Sequence, residues 1–171
     1  MLALAAARAA GASMESVRQG LAQVRPAKGR LQTEVLGEQL TVIDDSYNAN
    51  PASMKAALAV LASATGTRVA VLGPMAELGP DSLRLHQSVG ERARELGIER
   101  LIAVGDDRSQ GYCDGFGGSA ERVENHEQAV ERLLSGNTGS QTVLVKGSRS
   151  SAMDQVVKSL KNKVNNSCCS G

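Results

Sequence analysis

Arg68-Val69-Ala70-Val71-Leu72, then Ser82 to Leu96, then Arg100-Leu101-Ile102-Ala103-Val104 is the stretch that decides the fold. The first and last pieces are short aliphatic runs, apolar at successive positions, as a strand buried on both faces requires. Between them lies a longer segment of mixed polarity, closed by Gly97, which reads as a helix. Strand, helix and strand in that order make a crossover unit, and crossovers of this kind join parallel strands.

The alternation continues in both directions. Downstream, a Gly-rich stretch from Ser109 to Ser119 is assigned no element. A short strand near Ala120 to Val123 leads to a helix from about His126 to Leu134, a strand at Thr142 to Val145 and a closing helix from Ser151 to Leu160. Upstream, Leu31 to Leu36 and Leu40 to Ile43 read as strands of a hairpin turning at Gly37-Glu38. A polar loop, Asp44 to Asn50, precedes a helix that starts at Pro51, is capped by Asn50 and ends near Ser63.

Two helices are expected before the hairpin: Leu2 to Ala10, and Ser13 to about Gln23 with an apolar stripe of Val17, Leu21 and Val24. Arg25 to Arg30 reads as a linker. The expected fold is α/β and Rossmann-like: a mostly parallel six-stranded sheet with helices on both faces, opened by a hairpin, plus two N-terminal helices. Residues 1–28 read as the tail of a preceding domain, 29–163 as the domain itself and 164–171 as a disordered polar tail.

Composition narrows the function. The net charge of the 171 residues is +1, with acids and bases interspersed, so no footprint for DNA or an anionic membrane exists. Tyr47, Tyr112 and Phe116 are the only aromatics, which argues against base stacking on nucleic acid. No apolar run reaches the ~18–20 residues of a membrane span, and the start lacks the basic flank of a signal peptide. Cys113, Cys168 and Cys169 have no metal-ligand spacing and read as free thiols of a reducing cytoplasm.

Ligands of an open parallel sheet bind beyond the carboxyl ends of its strands. Polar or Gly-rich segments end four strands here: Asp44 to Asn50, Gly73 to Glu77, Gly105 to Asp107, and Lys146 to Arg149. Lys146, Ser148 and Arg149 precede a helix and suit an anion, Arg149 as a bidentate fork and Lys146 as a point charge. The alternative is a solvated basic turn capped by Ser148 or Ser150. Asp44 and Asp45 suit ribose hydroxyls or a hydrated magnesium ion; alternatively one caps a turn and the other faces solvent. His86 reads as a satisfied, partly buried histidine, His126 as a surface residue, and Met54, Met75 and Met153 as core. No metal site is assigned. Gly115 to Ala120 matches G-x-G-x-x-A but precedes a strand, which the dinucleotide fingerprint does not allow. No P-loop is present.

Four ordered stretches carry a resemblance: Asp44 to Met54, Val71 to Gly79, His86 to Gly90, and Val143 to Arg149, preceded by Pro26 to Leu31. They resemble the C-terminal domain of the Mur ligases, specifically the D-alanyl-D-alanine-adding (MurF) branch. Pro74 departs from the pattern, since many relatives carry Asp there. The resemblance implies a three-domain, cytoplasmic, ATP- and magnesium-dependent ligase acting on UDP-MurNAc-tripeptide and D-alanyl-D-alanine in peptidoglycan synthesis. It further implies that the N-terminal and central domains lie outside this chain, which alone would hold no cofactor firmly and have no ligase activity. By the same resemblance, Arg30 reaches the ATP phosphates and Asp45 the ribose, Tyr47 and Asn48 line the nucleotide pocket, and Lys146, Ser148 and Arg149 orient the dipeptide; Arg30 and Lys146 would be the catalytic pair.

A rival reading is a phospho-receiver module, whose outline Asp44, Asp45, Asp106 and Lys146 fit. Against it stand Gly105 before Asp106, Gly147 after Lys146, and the two leading helices.

Overall fold

The computed structural model describes residues 6–7, 9–23, 27–135 and 139–168. Most of the expected first helix, Val24 of the expected stripe, and Arg25 and Pro26 of the linker lie outside these. The second helix, α1 (Met14–Gln23), is present. Ser13 caps it, its Oγ accepting the Ser16 N–H at 3.1 Å.

Six strands form one sheet: β1 (Gln32–Leu36), β2 (Leu40–Asp45), β3 (Thr67–Leu72), β4 (Arg100–Val104), β5 (Ala120–Val123) and β6 (Gln141–Lys146). Their order is β1-β2-β6-β3-β4-β5, with only β1 antiparallel to its neighbour. The last strand in sequence is thus inserted between the second and third. This aligns the carboxyl ends of β2, β6 and β3, because Lys146 pairs in register with both Asp45 and Leu72.

Side-chain alternation along the central strands feeds two cores. Val69, Val71, Ile102, Val143 and Val145 pack under α5 (His126–Ser135) and α6 (Asp154–Cys168). Ala70, Leu72, Leu101, Ala103 and Leu144 pack under α2 (Pro51–Ala62), α3 (Ser82–Glu95) and α4 (Gln110–Phe116). Met54, Met75 and Met153 are fully buried. Helix α2 begins with a complete capping box: Asn50 accepts the Ser53 N–H, Ser53 Oγ accepts the Asn50 N–H, and Pro51 occupies the first turn.

Two elements differ from expectation. Residues 109–119 contain α4, despite glycines at 111 and 115 that disfavour helix by ~1 kcal/mol each. The glycines are required by the crossing of α3 and α4. A Cβ on Gly115 would stand 2.1 Å from the Gln87 carbonyl, one on Gly111 2.7 Å from that of Leu83, and one on Gly90 2.1 Å from that of Tyr112. The second difference is α6, which runs to Cys168, where the expected helix ends at Leu160 and a disordered tail is expected from residue 164. Val164 continues the apolar stripe of Val156, Val157 and Leu160 onto the core, and Lys161 pairs with Glu34 of β1.

Candidate functional site

The polar residues gathered at the carboxyl edge of the sheet are held by bonds between segments remote in sequence. Asp45 closes β2, and its two carboxylate oxygens have different partners. Oδ1 accepts the Leu31 N–H at 3.1 Å, while Oδ2 accepts from Lys146 Nζ at 2.6 Å. Lys146 is 2% exposed and also donates to the Asn48 carbonyl at 2.8 Å. One side chain therefore ties the end of β6 to the β2–α2 loop, and one carboxylate ties that loop to the segment entering β1. A buried ammonium needs this pairing, since removing one member of such a pair typically costs ~3–5 kcal/mol. Asp44 behaves differently: its Oδ1 accepts from the Ser46 N–H and hydroxyl, fixing a turn.

Tyr47 stands at the centre of the edge. Its N–H donates to the Gly29 carbonyl at 3.0 Å, and the residue is 44% exposed. The Arg30 guanidinium carbon lies 4.7 Å from the ring centroid and that of Arg149 5.8 Å. Both guanidiniums thus rest on the aromatic ring. Neither forms an ion pair among the described residues. Two cations poised at a cleft mouth without anionic partners are available to a phosphate or carboxylate.

Three clefts meet at Tyr47. The first, of about 410 Å³, is lined by Arg30, Asp45, Asn48 and Lys146, with Leu31 and Val60 as apolar wall. The second, of about 780 Å³, is lined by Asn48, Glu77, Ser148 and Arg149. A smaller one, of about 370 Å³, lies between Lys28, Asp44, Arg149 and Asp154. The proposed nucleotide residues Arg30, Asp45, Tyr47 and Asn48 accordingly share one cleft. Lys146 joins them and is separated from Ser148 and Arg149, which share the second. Ser148 is buried, its hydroxyl 3.1 Å from that of Ser150, and its N–H donates to the Pro74 carbonyl. No side-chain cap comes from it.

The wall of the second cleft opposite Arg149 is the loop after β3, and it is rigidly anchored. The Met75 N–H donates to His86 Nε2 at 2.9 Å, and His86 Nδ1 donates to the Ser82 carbonyl at 2.6 Å. That pattern requires a neutral imidazole. Burial is the main influence holding its pKa below the ordinary 6.5, opposed in part by the Ser82 carbonyl. The Tyr112 hydroxyl, also buried, donates to the Gly73 carbonyl, and burial pushes its pKa up. Gly73 and Gly147 let the ends of β3 and β6 converge, since a Cβ on Gly147 would stand 3.1 Å from Gly73 Cα. Glu77, the last residue of a segment singled out in the sequence but given no role there, lines this cleft in a left-handed backbone conformation (φ 60°). His126 is half-buried, with Nε2 2.8 Å from the Ser151 carbonyl.

The phospho-receiver outline is not assembled. Asp106 is gripped by the Arg108 guanidinium, which holds its carboxyl below the usual range, and Lys146 is paired to Asp45. Among the described residues no group of three His, Cys, Asp or Glu could hold a metal.

Known proteins resemble this chain over most of its length. The family model for the glutamate ligase domain of Mur ligases matches residues 29–149. The UDP-N-acetylmuramoyl-tripeptide–D-alanyl-D-alanine ligase of Escherichia coli is 40% identical over 94% of the chain, and that of Mycobacterium tuberculosis H37Rv is 35% identical over 94%. The chain spans only 35% and 36% of those relatives' lengths. A crystal structure of MurF from Acinetobacter baumannii superposes with a TM-score of 0.85 at 34% identity, covering 94% of this chain and 36% of that one. The structure of MurF from Thermotoga maritima with ADP shares the fold, with a TM-score of 0.83 at 21% identity. The chain belongs to the Mur ligase family, whose glutamate ligase domain it carries.

Proposed function

We propose that this chain is the C-terminal, closing domain of a cytoplasmic, ATP-dependent ligase that joins D-alanyl-D-alanine to UDP-MurNAc-tripeptide in peptidoglycan synthesis. The observation that carries the reading is the pair of ion-unpaired guanidiniums, Arg30 and Arg149, on opposite clefts around Tyr47. One cleft suits a nucleotide and the other a small carboxylate. In the proposed reaction the tripeptide carboxylate takes the γ-phosphoryl group of ATP, forming an acyl phosphate and ADP. The dipeptide amine then attacks, a proton leaves the nitrogen, and phosphate departs.

This chain's residues fit part of that chemistry. Arg30 steadies phosphate charge at the mouth of the first cleft. Asp45 accepts from the ribose through lone pairs left free by Leu31 and Lys146, while Tyr47 and Asn48 line the pocket. Ser148 and Arg149 orient the dipeptide carboxylate. Lys146, with two of its three ammonium hydrogens committed, positions the Asp45–Asn48 loop at the wall of the first cleft. By the family resemblance, magnesium and the P-loop belong to a central domain outside this chain; the sequence has no Gly-Lys-Thr, and among the described residues no acidic cluster could hold a metal. Closure of the domain excludes water, the competing nucleophile. The isolated chain is therefore expected to be inactive. In the ligase that carries it, Arg30→Ala should lower turnover at least about tenfold; near-normal turnover would remove Arg30 from the mechanism.

A further inference from the structure

The second cleft holds opposite charges that do not meet. Glu77 and Arg149 both line it, yet they form no ion pair, and Glu77 has no hydrogen-bonding partner among the described residues. The backbone that carries Glu77 is unusual. The Glu77 backbone sits at φ 60°, a conformation that costs a residue with a Cβ roughly 1–2 kcal/mol. Three bonds fix the loop on which it stands: Met75 N–H to His86, Ser148 N–H to the Pro74 carbonyl, and the Tyr112 hydroxyl to the Gly73 carbonyl. These bonds hold the backbone that leads into Glu77, and in this arrangement its carboxylate is not paired with Arg149.

A cleft lined by an anion and a cation that are not paired with each other suits a ligand with opposite charges at its two ends. A dipeptide zwitterion is such a ligand, and two extended residues span roughly 7 Å. We propose that Glu77 is a specificity-determining residue that accepts the ammonium group of the incoming dipeptide, while Ser148 and Arg149 take its carboxylate. The assignment rests on the dipeptide reading given above. It explains why an acyl acceptor with a free amine would be chosen over blocked or longer-chain carboxylates of similar size. Glu77 and Arg149 are both exposed while Ser148 is buried, so the two charged groups are open to a ligand entering from solvent.

The test is an NMR titration of this chain with D-alanyl-D-alanine and with its N-acetyl derivative, which keeps the carboxylate and loses the ammonium. Wild type should bind the free dipeptide about tenfold more tightly than the acetylated one, as one charge-assisted contact predicts. Glu77→Gln should abolish that preference without weakening the acetylated ligand. Glu77→Asp, which keeps the charge and tolerates left-handed backbone, should retain it. Arg149→Ala should weaken both ligands alike. A tenfold preference that survives in Glu77→Gln would overturn the Glu77 assignment and leave the dipeptide site standing. Failure of wild type to bind either ligand, or indifference of both to Arg149→Ala, would remove the dipeptide reading and Glu77's role with it.

Discussion

Replacing Gly115 by alanine sets two effects against each other, and the structure decides the sign. Gly115 lies within α4 at an ordinary helical φ, so propensity alone favours alanine by ~1 kcal/mol. Packing opposes it. The new Cβ would lie 2.1 Å from the Gln87 carbonyl oxygen and 2.8 Å from the Glu91 nitrogen, where ordinary contact begins at 3.4 Å. Both obstacles are backbone atoms of α3 and cannot rotate aside. The helices would have to part by about 1.3 Å, pulling Tyr112 and Phe116 away from a core in which they are 0% and 6% exposed. Overpacking of this kind costs roughly 1–3 kcal/mol, and rigid obstacles place it at the upper end. The net loss is about 2 kcal/mol, or roughly 4–8 °C in melting temperature for a chain of this size. Thermal unfolding followed by far-UV circular dichroism reads it directly. Gly20→Ala is the control: nothing lies within 4 Å of a Cβ there, so it should not lower the transition. A Gly115→Ala protein melting at or above wild type would refute the close-crossing argument.

Other expectations follow from the same coordinates. Lys146→Met leaves Asp45, 14% exposed, without its ammonium partner and should cost about 3 kcal/mol in urea unfolding; adding Asp45→Asn should restore part of that loss. His86 is neutral when folded and has a lowered pKa, so the unfolded chain binds more protons once pH falls below about 6.5. Stability contributed by the buried imidazole is complete above that pH and declines as pH falls through 6.5 toward the folded-state value. His86→Gln should flatten that part of the acid limb in a series of urea midpoints against pH; an unchanged slope would exclude His86 as its source. Tyr47→Leu removes the ring beneath both guanidiniums and should leave the melting temperature within about 2 °C, because the residue is exposed at the surface and outside both cores.

Much of the architecture is legible in the sequence because burial on two faces leaves a plain mark. Val69 to Leu72, Leu101 to Val104 and Val143 to Val145 are apolar at every position, and each is followed by a polar or glycine-containing turn. The start of α2 is equally legible, since Asn50, Pro51 and Ser53 act locally. Helix α4 was hidden because its glycines answer to a neighbour, α3, that local propensity does not include. The extent of α6 was hidden for the same reason: Val164 and Lys161 find partners on the core and on β1. At the site, each candidate residue could be named from its place after a strand, but not its company. Asp45 and Lys146 are 101 residues apart, and only the insertion of β6 beside β2 makes them register partners. Nor does sequence order reveal that Lys146 and Arg149, three positions apart, line different clefts.

The scarcity of aromatic residues has a spectroscopic consequence. The chain has no tryptophan and only two tyrosines, and one of them, Tyr112, is sealed in the core. Tyr47, where the clefts meet, is therefore the one tyrosine in contact with solvent. Any ligand that draws Arg30 or Arg149 off its ring alters the surroundings of that single fluorophore, while Tyr112 supplies a constant background. The domain thus carries an intrinsic optical probe at its candidate site, and occupancy of either main cleft becomes measurable in unlabelled protein by tyrosine emission alone.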